Sequence, residues 1–94
     1  RAMFALICTD KPGASQIRMD NRPAHLAHLE KHAADLAFAG PLLGEDGKPT
    51  GSLIVLSVAD KAAAERFAET DPYAQAGLFQ SVVISATKQV YPQG

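Results

Sequence analysis

His25 and Asp71 are the two residues of this chain whose types best fit general acid/base chemistry. A carboxylate beside an imidazole fixes the ring tautomer and stabilises the imidazolium formed when the ring takes a proton. Asp71 opens Asp71-Pro72-Tyr73 inside the stretch Thr70 to Gly77, which joins a helix-like segment to a strand-like one where a bare turn would suffice. Its carboxylate reads as an N-cap, with Pro72 in the first turn of a short helix that Gly77 ends. An acid, an aromatic hydroxyl and a tight glycine exit together point to an insertion that faces a cavity. The competing readings are structural: Asp71 as a plain cap, and His25 as a half-buried helix residue donating to a carbonyl. The two roles of Asp71 are compatible if one oxygen accepts from the backbone while the other faces His25.

Four further positions carry possible chemistry. Ser52 follows Gly51 at the start of a strand, and a Ser52-His25-Asp71 triad is conceivable, but the Gly-x-Ser-x-Gly elbow is absent, so Ser52 reads as a substrate-contacting or structural hydroxyl. Arg22, one turn before His25, is suited either to hold an anionic or phenolate oxygen or to sit on the surface. Tyr73 either donates its hydroxyl into the same cavity or packs. His28 and His32 are spaced as two metal ligands on a helix, yet no carboxylate or cysteine completes a set, so they read as solvated helix histidines; neither a metal nor another cofactor is expected. Cys8, inside an apolar strand, reads as a small core residue rather than a reactive thiol.

The elements that must position these residues follow from periodicity. Met3 to Thr9 is apolar on both faces and predicts a buried strand. Asp10 to Ser15 is turn chemistry, and a loop carrying Arg18 follows. Asp20 or Asn21 then caps a helix with Pro23 in its first turn, running to Asp35 or Leu36 over a stripe of Leu26, Leu29, Ala33 and Leu36. At about 100° per residue His25 falls roughly 60° from the stripe, His32 roughly 80° and His28 roughly 120°. His25 is therefore expected at the edge of the buried face, in the first turn, where the positive helix end disfavours the imidazolium. Ala37 to Leu43, broken by Gly40-Pro41, suits an edge strand or a bulged one. A polar loop from Gly44 to Gly51, a strand from Ser52 to Val58, a helix capped by Asp60 from Lys61 to Glu69 and a strand from Phe79 to Val90 complete the chain. The order βαββαβ is the split βαβ arrangement of an α+β, ferredoxin-like fold, a four-stranded antiparallel sheet with two main helices on one face. Three strands are apolar on both faces, so the uncovered face predicts a homodimer.

The bulk numbers agree. The chain of 94 residues makes one domain, placed at residues 3–92, with Arg1-Ala2 before Met3 reading as a remnant outside it. Apolar residues are 47% of the chain with no run of membrane-spanning length, so no membrane partner is expected. Nine basic and ten acidic residues leave a formal charge of −1 without a basic stripe, which argues against nucleic acid. One cysteine and no signal-peptide pattern fit a reducing, cytoplasmic setting. A small-molecule substrate is the expected partner.

Arg22-Pro23-Ala24-His25-Leu26, then Ala39-Gly40-Pro41, Thr50-Gly51-Ser52, and Asp71-Pro72-Tyr73 with Ala76-Gly77-Leu78-Phe79, resemble in order the motifs of YCII-related proteins across nearly the whole chain. The resemblance implies the ferredoxin-like dimeric α/β barrel fold and an active-site histidine and aspartate at His25 and Asp71. That family includes a dehydrochlorinase of chlorinated hydroxyhydroquinones, which implies a lyase in aromatic degradation. His25 would then take a phenolic or ring proton, Asp71 would orient it, and Arg22, Ser52 or Tyr73 would hold substrate oxygens. No residue specifies chlorine, and the same pair would serve an isomerase or a hydrolytic step. The rival from another class is a non-catalytic module that binds a small hydrophobic ligand or serves assembly.

Overall fold

The computed structural model describes residues 1–93 and runs β1 (Ala2–Asp10), α1 (Ser15–Lys31), a 3-10 turn (Ala33–Asp35), β2 (Leu36–Leu43), β3 (Pro49–Val58), α2 (Lys61–Thr70), α3 (Pro72–Gln75) and β4 (Phe79–Thr87). The four strands form one antiparallel sheet in the order β2-β3-β1-β4. The first residues are part of it: Ala2 pairs with Val58 and Arg1 forms an ion pair with Asp35, so β1 begins before the expected Met3.

Register assigns each strand residue to a face, because directly paired residues point the same way. Phe4, Leu6 and Cys8 of β1 share a face with Leu56, Ile54 and Ser52 of β3 and with Ala86, Ile84 and Val82 of β4. The helices cover this face, and with Ala64 and Phe67 of α2 it forms the main core. The opposite face carries Ala5, Ile7, Leu53, Val55 and Val83, with Phe38 of β2 beside Val55. Ile7, Phe38 and Val83 are exposed there in the single chain. The expectation for β2 holds in both its parts: it is an edge strand, and its register shifts between Leu36 and Phe38.

Gly51 sets the spacing at the end of the sheet nearest the site. A Cβ at this position would collide with the carbonyl oxygen of Cys8, so only glycine lets β3 lie this close to β1 and turn Ser52 inward. At α2, Asp60 caps as expected, accepting from the Ala63 N–H at 2.9 Å.

Helix α1 departs from its expected course. It starts at Ser15, five residues before the expected cap, and ends at Lys31; Ala33 lies in the 3-10 turn and Leu36 in β2. Arg18 is thus in the first helical turn rather than in a loop, and Pro23 lies in the helix interior. An interior proline removes one backbone bond and costs about 3 kcal/mol or more in an unsupported helix. Buried side chains on both sides of Pro23 anchor α1: Arg18 before it, His25 and His28 after it. The inward face of the helix is therefore polar. Leu26 is 43% exposed and Leu29 half-buried, so the leucine stripe that the periodicity indicated borders the cavity and is not the most deeply buried face.

His28, expected in solvent, is buried; its Nε2 lies 3.2 Å from the Phe67 carbonyl oxygen, to which it donates. Burial is the leading cause that lowers its pKa below the ordinary 6.5. As pH falls through the ordinary imidazole range, the unfolded chain binds a proton there that the folded protein resists. The stabilising effect of this neutral, buried ring is therefore present above that range and lost as pH drops toward the lowered folded value. We expect the fall in Tm between about pH 7.5 and about pH 5.5 to be smaller in His28→Gln than in the native chain, as read by thermal circular dichroism. Equal falls would show that His28 does not titrate with folding.

Candidate active site

Helix α2 packs against β1, β3 and β4, whereas α1 makes its main backbone contact with α3 and stands off from the sheet. The gap between α1 and the sheet is a cavity of about 490 Å³. Its wall includes Arg18, Arg22 and His25 from α1, Ser52 and Ile54 from β3, and Tyr73 from α3.

The centre of the site is a single carboxylate oxygen. Asp71 is 1% exposed, and its Oδ1 accepts from the Tyr73 backbone N–H at 2.9 Å and from His25 Nδ1 at 2.9 Å. The same oxygen thus caps α3 and binds the histidine, whereas the sequence reading divided these roles between two oxygens. A carboxylate acceptor places the proton of the neutral imidazole on Nδ1. Nε2 is then the unprotonated nitrogen, and it has no hydrogen-bond partner among the described residues. His25 lies in the middle of α1, not in its first turn, so it is Asp71 rather than the helix end that acts on the ring.

Tyr73 is the layer beside this pair. Its ring stacks on the His25 ring at 4.0 Å with an interplanar angle of 14°, and the Arg18 guanidinium carbon lies 4.7 Å from its centroid. The contact area holds the imidazole plane, leaving little freedom to rotate about its side-chain bonds. Burial raises the Tyr73 pKa, while the charges of Arg18 and Arg22 pull it back. Leu78 and Ala14 complete the small apolar cluster around the ring. Gly77, at φ +77°, supplies the left-handed exit that returns the chain from α3 to β4.

Arg18 and Asp10 were not singled out by sequence, and they organise the other side of the cavity. Arg18 Nε donates to Asp10 Oδ2 at 2.8 Å, and its Nη2 donates to Asp10 Oδ1 at 2.9 Å and to Ser52 Oγ at 3.0 Å. Burial works most strongly against the guanidinium charge, but the hydrogen bond and the charge of Asp10, together with Tyr73, outweigh it and the Arg18 pKa rises. Such a buried ion pair contributes little net stability, because desolvation offsets the attraction, but its two-pronged geometry fixes where the side chain lies. The signal was present in the spacing of Arg18, Arg22 and His25, four and three apart, which is one helical face. A helix start placed after Arg18 concealed it.

Of the residues proposed from sequence, His25, Asp71 and Tyr73 form one contiguous group. Ser52 reaches the cavity wall, but its hydroxyl accepts from Arg18, and no hydrogen bond joins it to His25 among the described residues, so the triad geometry is not formed. Arg22 lies exposed at the cavity mouth. Burial pushes the Cys8 thiol up to about 12, in keeping with a core residue. His28 and His32 meet edge to face, and no cluster of three metal-ligating side chains occurs among the described residues.

Comparison with known proteins gives this geometry a context. The YCII-related domain model matches residues 2–88. Protein YciI from Escherichia coli O6:H1 is 30% identical over 97 residues, covering 95% of this chain and 99% of that one. Among solved structures, the 5-chloro-2-hydroxyhydroquinone dehydrochlorinase TftG from Burkholderia phenoliruptrix AC1100, in complex with 2,5-dihydroxybenzoquinone, superposes with a TM-score of 0.87 at 35% identity, covering 93% of this chain and 94% of that one. PA3566 from Pseudomonas aeruginosa shares the fold alone, with a TM-score of 0.57 at 17% identity over 95% and 93% of the two chains. The ferredoxin-like α+β fold expected from the order of elements, which the family resemblance implied to be that of the dimeric α/β barrel proteins, is the fold observed. On the family match and these full-length relatives, the chain belongs to the YCII-related domain family.

Proposed function

We propose that this protein is a small enzyme that needs no cofactor and uses His25 and Asp71 for proton transfer on a small aromatic substrate. The observation that carries the reading is the 2.9 Å bond from His25 Nδ1 to the buried Asp71 carboxylate beside a cavity large enough for one substituted ring. Nε2 of His25 is the base. Asp71 holds the tautomer and offsets the charge when the ring becomes imidazolium. Tyr73 keeps the imidazole in plane, Arg22 and Tyr73 meet substrate oxygens, and Ser52 acts with Arg18 as part of the wall that orients the ring.

The likeness to TftG favours elimination of HCl from a chlorinated hydroxyhydroquinone as the specific reaction. There two hydroxyl protons leave oxygen: one is delivered to the ring carbon that bears chlorine, making it tetrahedral, and the other is taken by His25. As the second C=O forms, chloride departs from that carbon, so the net loss is HCl and the ring is left at the quinone level. Negative charge develops on oxygen first, which is where cationic and hydrogen-bonding side chains act. No described helix is long and apolar enough to cross a membrane, and a small molecule is the only partner this site calls for.

The apolar outer face supports a homodimer. Ile7, Val83 and Phe38 are 41%, 52% and 53% exposed on a sheet whose helices all lie on the other side. A domain of this size gains much of its stability by covering such a surface with a second copy.

Three measurements test these points. Chloride release from 5-chloro-2-hydroxyhydroquinone should fall by about 10²- to 10⁴-fold in His25→Ala and by less in Asp71→Asn; equal rates in native and His25→Ala would remove His25 from the mechanism. A slowly exchanging downfield Nδ1 proton of His25 is expected in the native NMR spectrum and absent in Asp71→Ala. Its presence in both would separate the two residues, leaving a ligand-binding module as the better account. Sedimentation at about 10 μM should give a dimer, and Ile7→Glu a monomer; a native monomer would overturn the assignment of the outer face.

A further inference from the structure

The charge in the cavity is unevenly distributed. Three cationic side chains, Arg18, Arg22 and Lys48, reach its wall, and no aspartate or glutamate does. The two carboxylates of the site stand behind other groups, Asp71 behind His25 and Asp10 behind Arg18. Asp10 accounts for the charge of Arg18. Arg22 and Lys48 have no carboxylate partner among the described residues. Asp46, two residues before Lys48, directs Oδ1 to the backbone N–H of Lys48 at 3.0 Å rather than to its ammonium.

This local excess is not the background of a basic protein, since the whole chain carries a formal charge of −1. The two cations also come from different walls, Arg22 from α1 and Lys48 from the connection into β3. Both are exposed, whereas His25, Ser52, Ile54 and Tyr73 are buried deeper in the same cavity. The arrangement is a rim that carries two cations above a floor of Arg18, His25, Ser52 and Tyr73 with Ile54.

We propose that the cavity selects an organic anion, an aromatic ring whose oxygens meet the polar floor and whose negatively charged oxygen is held at the mouth between Arg22 and Lys48. The assignment rests on the reading of this cavity as a site of proton transfer and adds the charge class of its substrate and a binding residue, Lys48. It also gives the rim a role in the chemistry. When His25 takes a proton from a neutral chlorinated hydroxyhydroquinone, the phenolate forms inside the cavity, and the two rim cations reduce the cost of that charge.

The test measures binding by titration calorimetry with two probes of similar shape at neutral pH. One is 2,5-dihydroxybenzoquinone, an acid that is ionised in that range; the other is hydroquinone, which is neutral. The native protein should bind the anion more tightly, and its affinity should fall as salt rises from about 0.05 to about 0.5 M. Lys48→Met and Arg22→Met, both at exposed positions, should each weaken the anion about tenfold, the effect of one charge-assisted bond, and Lys48→Met should leave hydroquinone within about twofold. Lys48→Arg should restore most of the loss.

Equal weakening of both probes would mean that these side chains only pack. Unchanged affinity for the anion, or preference for hydroquinone, would equally overturn the proposal. Because binding needs no turnover, failure of chloride release alongside intact anion preference would remove the proton-transfer reading and leave this one standing. Turnover without anion preference would do the reverse.

Discussion

The interaction on which the site depends is the pair of hydrogen bonds accepted by Asp71 Oδ1, one from the Tyr73 backbone and one from His25. Desolvating a carboxylate costs several kcal/mol, and two charge-assisted bonds of about 1.5–3 kcal/mol each return about that much. Neither bond alone would hold the group inside the protein. The cap that starts α3 and the contact that sets the histidine are therefore coupled through one atom. Tyr73, placed by that cap, then stacks on the histidine that shares it.

A second constraint opens the cavity. The face that α1 turns inward carries Arg18, His25 and His28, and each of them has a partner on another element: Asp10 and Ser52, Asp71, and the Phe67 carbonyl. A helix tied down by hydrogen bonds of fixed length need not sink onto the sheet as an apolar helix would. Leu26 and Leu29 then line the gap, and only Leu29 also packs against the main core. Stability is carried elsewhere, by α2 and the apolar inner rows of β1 and β3. This division leaves α1 and α3 free to hold polar groups that a well-packed core would exclude.

Much of this was legible in the sequence. Strands apolar on alternating positions, turn residues between them and the cap at Asp60 define the βαββαβ order, because local periodicity and local hydrogen bonds decide those features. Asp71-Pro72 and Gly77 likewise announce α3, since a carboxylate cap, a proline at the first position and a positive φ are local requirements. His25 and Asp71 were identifiable as chemically apt residues, the first by its place near one helix face.

The start of α1 was not legible, since its first turn has no side-chain cap and is held by Arg18 reaching Asp10 and Ser52, 34 residues away in the case of the serine. With the start misplaced, Pro23 read as a first-turn residue, the leucines read as the buried face, and Arg18 was set in a loop. Nor does any local pattern indicate that one oxygen of Asp71 serves both Tyr73 and a histidine 46 residues away. The sequence by itself determined the elements and the residue types able to do chemistry, because both follow from short-range sterics and hydrogen bonding. Which side of α1 faces the sheet, and which polar groups meet across the cavity, only the tertiary structure decided, because those choices depend on partners that the chain brings together after it folds.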